Sequence, residues 1–554
     1  MIATAFTSFV AAAACLPSFV SAHSHASKRS TSSNVVTFAN DQAFLFDTDG
    51  NQIDAYATKI NYFNTSSGPQ YILYGISFAG PNTTGDGPLK SYSSVDLVNW
   101  KYNGILSDTV AGGRPHMIYN AATDKYVLWV NVDGGYKVGT SSSPTGGFEY
   151  VEGGGALYPG IQEAGLIGAD HSVASFGDTA YLAFAALNFA DPRAGSLWPP
   201  IFQTMHLSPL TSDFINSTLD AFNVTSPAFD GVDQQTESPD IFIRNGTMYI
   251  VTSNTCGYCD GSIGVVYRAA TPGTPNADTQ WKRDIVSGYS CGGQVEGVLP
   301  LTDPTTGEVT YVWHSTTVPG GVRVGFSGHI FQPLQFNDDG SVQDLDCSPK
   351  KQWQVPYTPG VGAVATGKLT EATDASPRFA NYHPVCDSDR IASLYQTWTN
   401  SKTGVLREVA INVAAGYNQA DFQVNVFAFS NLSDLVAPSY KYKLLGSASF
   451  TPDNLTQVFG TATVTLNATV TAGDMLGFSI SEAAAPGSFS FANFVPFCHL
   501  EYDMHSACEA GDSAQGQVLF EQASGQNSLR GLHGNLSPVT IRQGKGIKFF
   551  STVE

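Results

Sequence analysis

The sequence predicts an all-β protein, a five-bladed β-propeller followed by a C-terminal β-sandwich. Three observations lead there. Tyr71, Tyr126, Tyr181, Tyr249 and Tyr311 each stand in a short apolar run, at gaps of 55, 55, 68 and 62 residues. Each run is followed by another alternating segment, such as 136–140, 264–268 and 322–326, and most units close on an aromatic: Trp100, Phe148, Phe214, Trp281 or Phe336. About four short strands per unit, repeated in this way, is the pattern of propeller blades. Finally, 55 Gly and 29 Pro against 13% charged residues describe a turn-rich chain with ample core rather than a disordered one.

Residues 1–22 form an apolar run ending in Val20-Ser21-Ala22, which predicts a signal peptide, with Lys28-Arg29 as a dibasic processing site. Nine N-x-[ST] sequons, at Asn64, Asn82, Asn216, Asn223, Asn245, Asn431, Asn454, Asn467 and Asn535, agree with an extracellular, secreted protein. No later run of about 18 apolar residues predicts a membrane span. A net charge of −20 excludes nucleic acid and anionic membrane as natural partners, because both need a positive surface. The propeller is expected over 38–350. Residues 351–385, with Pro356 and Pro359, read as a linker, and the alternating runs 409–413, 422–427 and 462–466 predict the sandwich over 386–554. That second domain either binds glycan or braces its neighbour. Beyond Cys15, seven cysteines remain. Cys347 is expected to pair with Cys386 and Cys498 with Cys508, leaving Cys256, Cys259 and Cys291 with one thiol over. The Cys256-x-x-Cys259 pair lacks a second pair at zinc spacing, and no metal cluster or phosphate loop is present, so no cofactor is expected.

In a propeller the innermost strand of each blade lines the central channel, so residues at matching distances before each tyrosine should converge. Asp170 lies 11 residues before Tyr181, and Arg114 and Glu237 lie 12 before Tyr126 and Tyr249. Asp54 and Gln294 lie 17 before Tyr71 and Tyr311. Glycoside hydrolysis needs a protonated carboxyl at the leaving oxygen and, in inverting enzymes, a second group roughly 6.5–9.5 Å away to activate water. Glu237 is the better acid because Ser238-Pro239 fixes the backbone beside it, and a carboxylate such as Asp170 would raise its pKa. The plainer alternative is that these acids cap turns or pair with Arg114. His171 is expected to help shape the sugar-binding platform, as a hydrogen-bonding neighbour rather than a catalyst. Trp198, in the insertion 191–198, is expected to pack locally or to offer a sugar a stacking face.

Six short motifs carry a family resemblance. They are 47–53 (DTDGNQI), 93–100 (SSVDLVNW), 114–120 (RPHMIYN), 125–129 (KYVLW), 143–148 (SPTGGF) and 237–242 (ESPDIF). In this order they resemble glycoside hydrolase family 43, and most closely its exo-β-1,3-galactanase branch, over about residues 42–350. The resemblance implies an inverting hydrolase of plant cell-wall polysaccharide, with Glu237 as general acid and Asp170 as the group that tunes and orients it. Gln294 matches the glutamine that replaces the usual aspartate base. Tyr136 and Thr255 match substrate-contacting positions, and Arg114 is expected to hold a carboxylate or sugar hydroxyls. The chain departs from the branch in having Gly113 where a Glu precedes the Arg-Pro pair, and Asp54-Ala55-Tyr56 where the branch has Gln-Ala-His. Asp54 in the channel would restore a carboxylate base and suit an arabinofuranosidase or xylosidase. The remaining alternative is a non-catalytic carbohydrate-binding propeller. The protein is expected to meet its polysaccharide as a monomer.

Overall fold

A computed structural model describes residues 34–39, 45–77, 87–255 apart from 133, 158, 164, 177, 198–199 and 219, 261–317, 328–348, 351–375, 382–386, 391–414, 422–435, 441–451, 459–482, 498–503, 518–522, 540–542, 545–547 and 549–554. The expected signal segment 1–22, Trp198, Cys256, Cys259 and Cys508 lie outside them. The protein is all-β, and no helix among the described residues is long and apolar enough to cross a membrane.

Five antiparallel meanders follow one another. The first joins strands Tyr56–Thr65, Gly68–Ile76, Leu89–Ser94 and Lys101–Ile105. The second opens on Gly113–Asn120, the third on Ile167–Phe176, the fourth on Thr236–Arg244 and the fifth on Gly293–Thr302. The second to fourth have four strands, and the fifth has three among the described residues. The opening strands touch in this order, and that of the fifth sheet touches that of the first. Between each pair of neighbouring sheets lies an apolar cluster. Leu128 and Tyr74 belong to the cluster between the first and second sheets, Trp129 and Phe184 to the next, Leu207 and Ile250 to the third, and Val251 and Trp313 to the fourth. The last cluster joins Leu299 and Phe331 of the fifth sheet to Ile60 and Leu73 of the first.

The spaced tyrosines all fall on second strands, and each hydroxyl donates to a backbone carbonyl outside its own sheet. Tyr126 reaches Asn64 O, Tyr311 reaches Ile243 O at 2.7 Å, and Tyr249 reaches Gly340 O at 2.9 Å. Tyr181 meets Pro275 O at 3.2 Å and Tyr71 meets Thr358 O at 2.7 Å. A largely buried phenol satisfies a carbonyl and fills apolar space at once, which is why Tyr recurs there rather than Phe.

Every opening strand is bulged near its start. The register skips between Tyr56 and Lys59, Gly113 and His116, Gly168 and His171, Glu237 and Asp240, and Val295 and Gly297. A bulge leaves residues unpaired and re-aims side chains. Pro115 and Pro239 suit those places because they have no N–H to leave unsatisfied. Just past the bulges, one carboxylate gathers the five sheets. Asp240, itself on the fourth, accepts from Lys59 Nζ of the first, from Ser172 Oγ of the third at 2.8 Å and from Val298 N of the fifth at 2.7 Å. His116 Nδ1 of the second stands 3.9 Å away. Burial, and then Lys59, hold His116 well below the usual imidazole range, so it is neutral there. Gly297 makes room for the pair, since a Cβ would fall 2.7 Å from Asp240 Oδ2 and 2.8 Å from Lys59 Nζ.

Residues 351–385, expected to be a linker, are corrected in part. Strand Gln352–Tyr357 pairs with Asn34–Ala39, and Asp374–Ala375 pairs into a C-terminal sheet. The next turn is tied down too, with Val361 N bonded to Pro69 O at 2.7 Å. Beyond it, two sheets, of seven and six strands among the described residues, share one apolar cluster, including Trp398, Ile411, Val424, Val464, Phe478 and Phe549. The expected Cys347–Cys386 bridge is also corrected, because Cys347 is bonded to Cys291. Cys386 instead stands opposite Cys498 in the register of strands Tyr382–Cys386 and Cys498–Asp503. Asp240→Ala would strand a buried Lys59 without its carboxylate. We expect a loss of about 3–5 kcal/mol in urea unfolding, and a loss below about 1 kcal/mol would remove Asp240 from the centre of the fold.

Candidate active site

The bulges decide which residues face the end of the ring. At Arg114 and Ser238 the backbone enters the left-handed region, with φ of +41° and +55°, a conformation that costs about 1–3 kcal/mol for residues other than glycine. The turn brings Arg114 inward, where its guanidinium joins four residues from three other sheets. Nε lies 2.8 Å from Asp170 Oδ2, one terminal nitrogen donates to Ser238 Oγ and to Gln294 Oε1 at 3.4 Å, and the other lies 3.6 Å from Glu296 Oε2. Burial works against the guanidinium charge, but Asp170 and Glu296 outweigh it and raise its pKa.

Glu237 stands beside this knot. Its Oε1 accepts from Gln294 Nε2, and its Oε2 accepts from Gln203 Nε2 at 2.8 Å. Gln203 also donates to Thr255 Oγ1 at 2.7 Å, and Thr255 in turn donates to Gln235 O at 3.0 Å. Gln294 therefore turns its carbonyl to Arg114 and its amide N–H to Glu237. Asp170 accepts from the Ser238 N–H at 3.1 Å and from its hydroxyl at 3.2 Å, gripping the peptide that follows Glu237. The Asp170 side chain is 28% exposed and Glu237 is half-buried, while the Glu296 carboxyl is sealed.

Of the residues singled out in the sequence, Arg114, Asp170, Glu237, Gln294 and Thr255 are linked in this network. Tyr136 lies just behind it, with its hydroxyl on Ala169 O at 2.7 Å. His171 is buried completely and packs edge-on against Tyr136 and at a tilt against His116, with ring centroids 4.8 and 5.5 Å apart. Burial brings it down to about 3, only partly opposed by Asp170, so it is a neutral element of the floor. Asp54 is a correction. It is buried before the first bulge, with its carboxylate on Lys90 at 2.7 Å and on Ser77 at 2.6 Å, and it does not join the network. Tyr56, two residues on, is the first sheet's residue nearest in effect to Arg114.

Gln203 and Glu296 complete the site and were not anticipated, and Ser238, expected to fix the backbone beside Glu237, joins it through its hydroxyl as well. Gln203 is the second residue of a third strand, Phe202–Pro209, whose residues the tyrosine spacing does not index. Beside it, Arg193 lies 4.1 Å over the Phe202 ring and is held by both oxygens of Asp191 at 2.9 and 2.7 Å. Glu296 is the bulged residue of the fifth opening strand. One of its oxygens accepts from Thr316 Oγ1, and the other has no hydrogen-bond partner. Burial pushes this carboxyl up to about 7, against the pull of Arg114 and Thr316.

Comparison with known proteins follows from this geometry. No family model matches the chain, and no curated protein matches it. Similar solved structures include a variant of an exo-β-1,3-galactanase from Phanerochaete chrysosporium with β-1,3-galactotriose, at 18% identity over 84% of this chain and 98% of that one, TM-score 0.43. An exo-β-1,3-galactanase from Clostridium thermocellum is similar at 17% identity over 93% and 96%, TM-score 0.45. A β-1,3-galactosidase of glycoside hydrolase family 43, with galactodeoxynojirimycin, is similar at 21% identity over 54% and 96%, TM-score 0.42. These proteins bear the names of the family and branch that the sequence motifs resemble.

Two outcomes test the site's construction. The turn Ser290-Cys291-Gly292, with φ of +45°, +57° and +93°, leads directly into Gln294 and is anchored by the bond to Cys347. Cys347→Ser should cost roughly 2–4 kcal/mol in denaturant unfolding, and an unchanged midpoint would show that the turn holds itself. Glu296 also links folding to pH. Its folded value is raised from 4.5 to about 7, so the stability it contributes is present below 4.5 and is lost as pH rises to about 7. Melting temperatures across that window should fall less steeply in Glu296→Gln, and identical slopes would contradict the assignment.

Proposed function

We propose that the five meanders are the blades of a five-bladed β-propeller over about residues 38–350 and that the C-terminal sheets form a β-sandwich. On this reading the chain is a secreted, inverting glycoside hydrolase acting on plant cell-wall polysaccharide, an exo-β-1,3-galactanase. The observation that carries the reading is the grouping of Glu237 with Asp170, Arg114 and Gln294 at one end of the ring, with the first two reaching solvent. The motif order supports the substrate class. Glu237, when protonated, gives its proton to the departing glycosidic oxygen as the bond to the anomeric carbon breaks. Water enters from the opposite face of the sugar, and as the new C–O bond forms its proton passes to solvent water, which the partly exposed site reaches. Gln294 is too weak a base to take that proton at its ordinary pKa, so its part is to orient the water, with its amide fixed between Arg114 and Glu237. Asp170 keeps Glu237 aimed through the Ser238 peptide. Asp54, bound to Lys90, has no part in this chemistry.

The test is sugar release from β-1,3-galactan, arabinan and arabinoxylan in parallel, with the first product's anomeric proton followed by NMR. We expect galactose of inverted configuration and a loss of roughly 10²–10⁴-fold in Glu237→Gln, with its melting temperature retained. Arabinose or xylose as the product would replace the substrate. Binding without release would make the protein a carbohydrate-binding propeller.

A further inference from the structure

The mechanism leaves the buried carboxyl of Glu296, beside Arg114, unused, and its surroundings give it a function. Glu296 lies two residues after Gln294 on the same strand, but the bulge removes it from the ladder, so that Val295 pairs with Ser315 and Gly297 with His314. It is 1% exposed. Thr316, on the paired strand, satisfies one oxygen, and the other faces Arg114 at 3.6 Å without a hydrogen bond. The same guanidinium is 2.8 Å from Asp170. Arg114 thus stands between two carboxyl groups, in contact with one and just short of the other. A shift that brought it into contact with Glu296 would loosen it from Asp170, and with Asp170 the Ser238 peptide and Gln294.

We propose that Glu296 is a positioning residue that sets, through Arg114, how firmly Asp170 and Gln294 are held around the acid Glu237. This rests on the hydrolase reading for its catalytic consequence, but not for the movement itself. When Glu296 is neutral, Asp170 has the larger claim on Arg114 and the site is drawn together. When Glu296 is ionised, the guanidinium is pulled toward it, since a buried carboxylate without a full partner is costly. The charged and titratable groups around it are Arg114 and Asp170, the Lys59–Asp240 pair beside Gly297, and the neutral His314 across the strand. The Lys59 charge is already matched by Asp240. Arg114 is therefore the cation that answers when Glu296 ionises.

Two measurements on the full chain test this. The first is the Arg114 Nε–H resonance, assigned through Arg114→Lys, followed by NMR from about pH 5.5 to about pH 8.5, a range that brackets the Glu296 carboxyl. It should shift in the wild type and stay still in Glu296→Gln. A resonance that moves equally in both proteins, or in neither, overturns the proposal whether or not the protein hydrolyses any glycan. The second is the pH profile of kcat and kcat/KM. Wild-type kcat should fall as pH rises through the neutral range, and Glu296→Gln should carry that limb to higher pH, several-fold faster relative to wild type at about pH 8.5 than at about pH 5.5. Glu296→Asp should keep a titrating limb. A purely structural role would lower kcat by the same factor at every pH, which overturns the proposal while Glu237→Gln still reports on the hydrolase reading.

Discussion

The carboxylate of Asp240 is where the architecture meets. It is buried among five opening strands, and each contributes to it: an ammonium, an imidazole, a hydroxyl, a backbone N–H and its own chain. A charge so placed is tolerated only when its partners are fixed. The five strands must therefore approach at one distance and in one register, and the bulges above that level follow from the need to fit four side chains and a backbone N–H around one point. Gly297 is the fifth sheet's concession to the same crowding.

The site sits on this floor and inherits its geometry. Arg114 is turned inward by the residue step that precedes His116, and Glu237 by the step that precedes Asp240. Shared partners then convert placement into alignment. Arg114 fixes the amide of Gln294, Gln294 and Gln203 fix the two oxygens of Glu237, and Asp170 fixes the peptide behind it. Each group has little freedom left to lose when a ligand arrives, which is the physical content of preorganisation.

Much of this was legible in the sequence. The tyrosine spacing exposed the five units because each tyrosine performs the same task, burying its ring and donating its hydroxyl to a carbonyl outside its sheet. Counting back from them found Arg114, Asp170 and Glu237, which lie 11 or 12 residues before their tyrosines. The longer count of 17 residues reaches the network at Gln294 and misses it at Asp54, because the first two strands of the fifth sheet are joined by a longer turn and those of the first sheet are not. Glu296 was hidden for a related reason, since a strict alternation cannot show that a bulge has turned an extra residue inward. Gln203 comes from a third strand that the count does not reach. The partner of Cys347 depended on a turn in space rather than on sequence distance.

The tyrosine staples also bear on how such a chain can change. Their acceptors are backbone carbonyls, at Asn64, Ile243, Pro275, Gly340 and Thr358. A carbonyl is offered by any amino acid, so the segments that receive these hydroxyls can exchange side chains without surrendering the joint. The architecture separates what must be kept, a phenol on each second strand, from what can drift. A scaffold fastened in this way can be re-surfaced for new ligands while its frame stays in place.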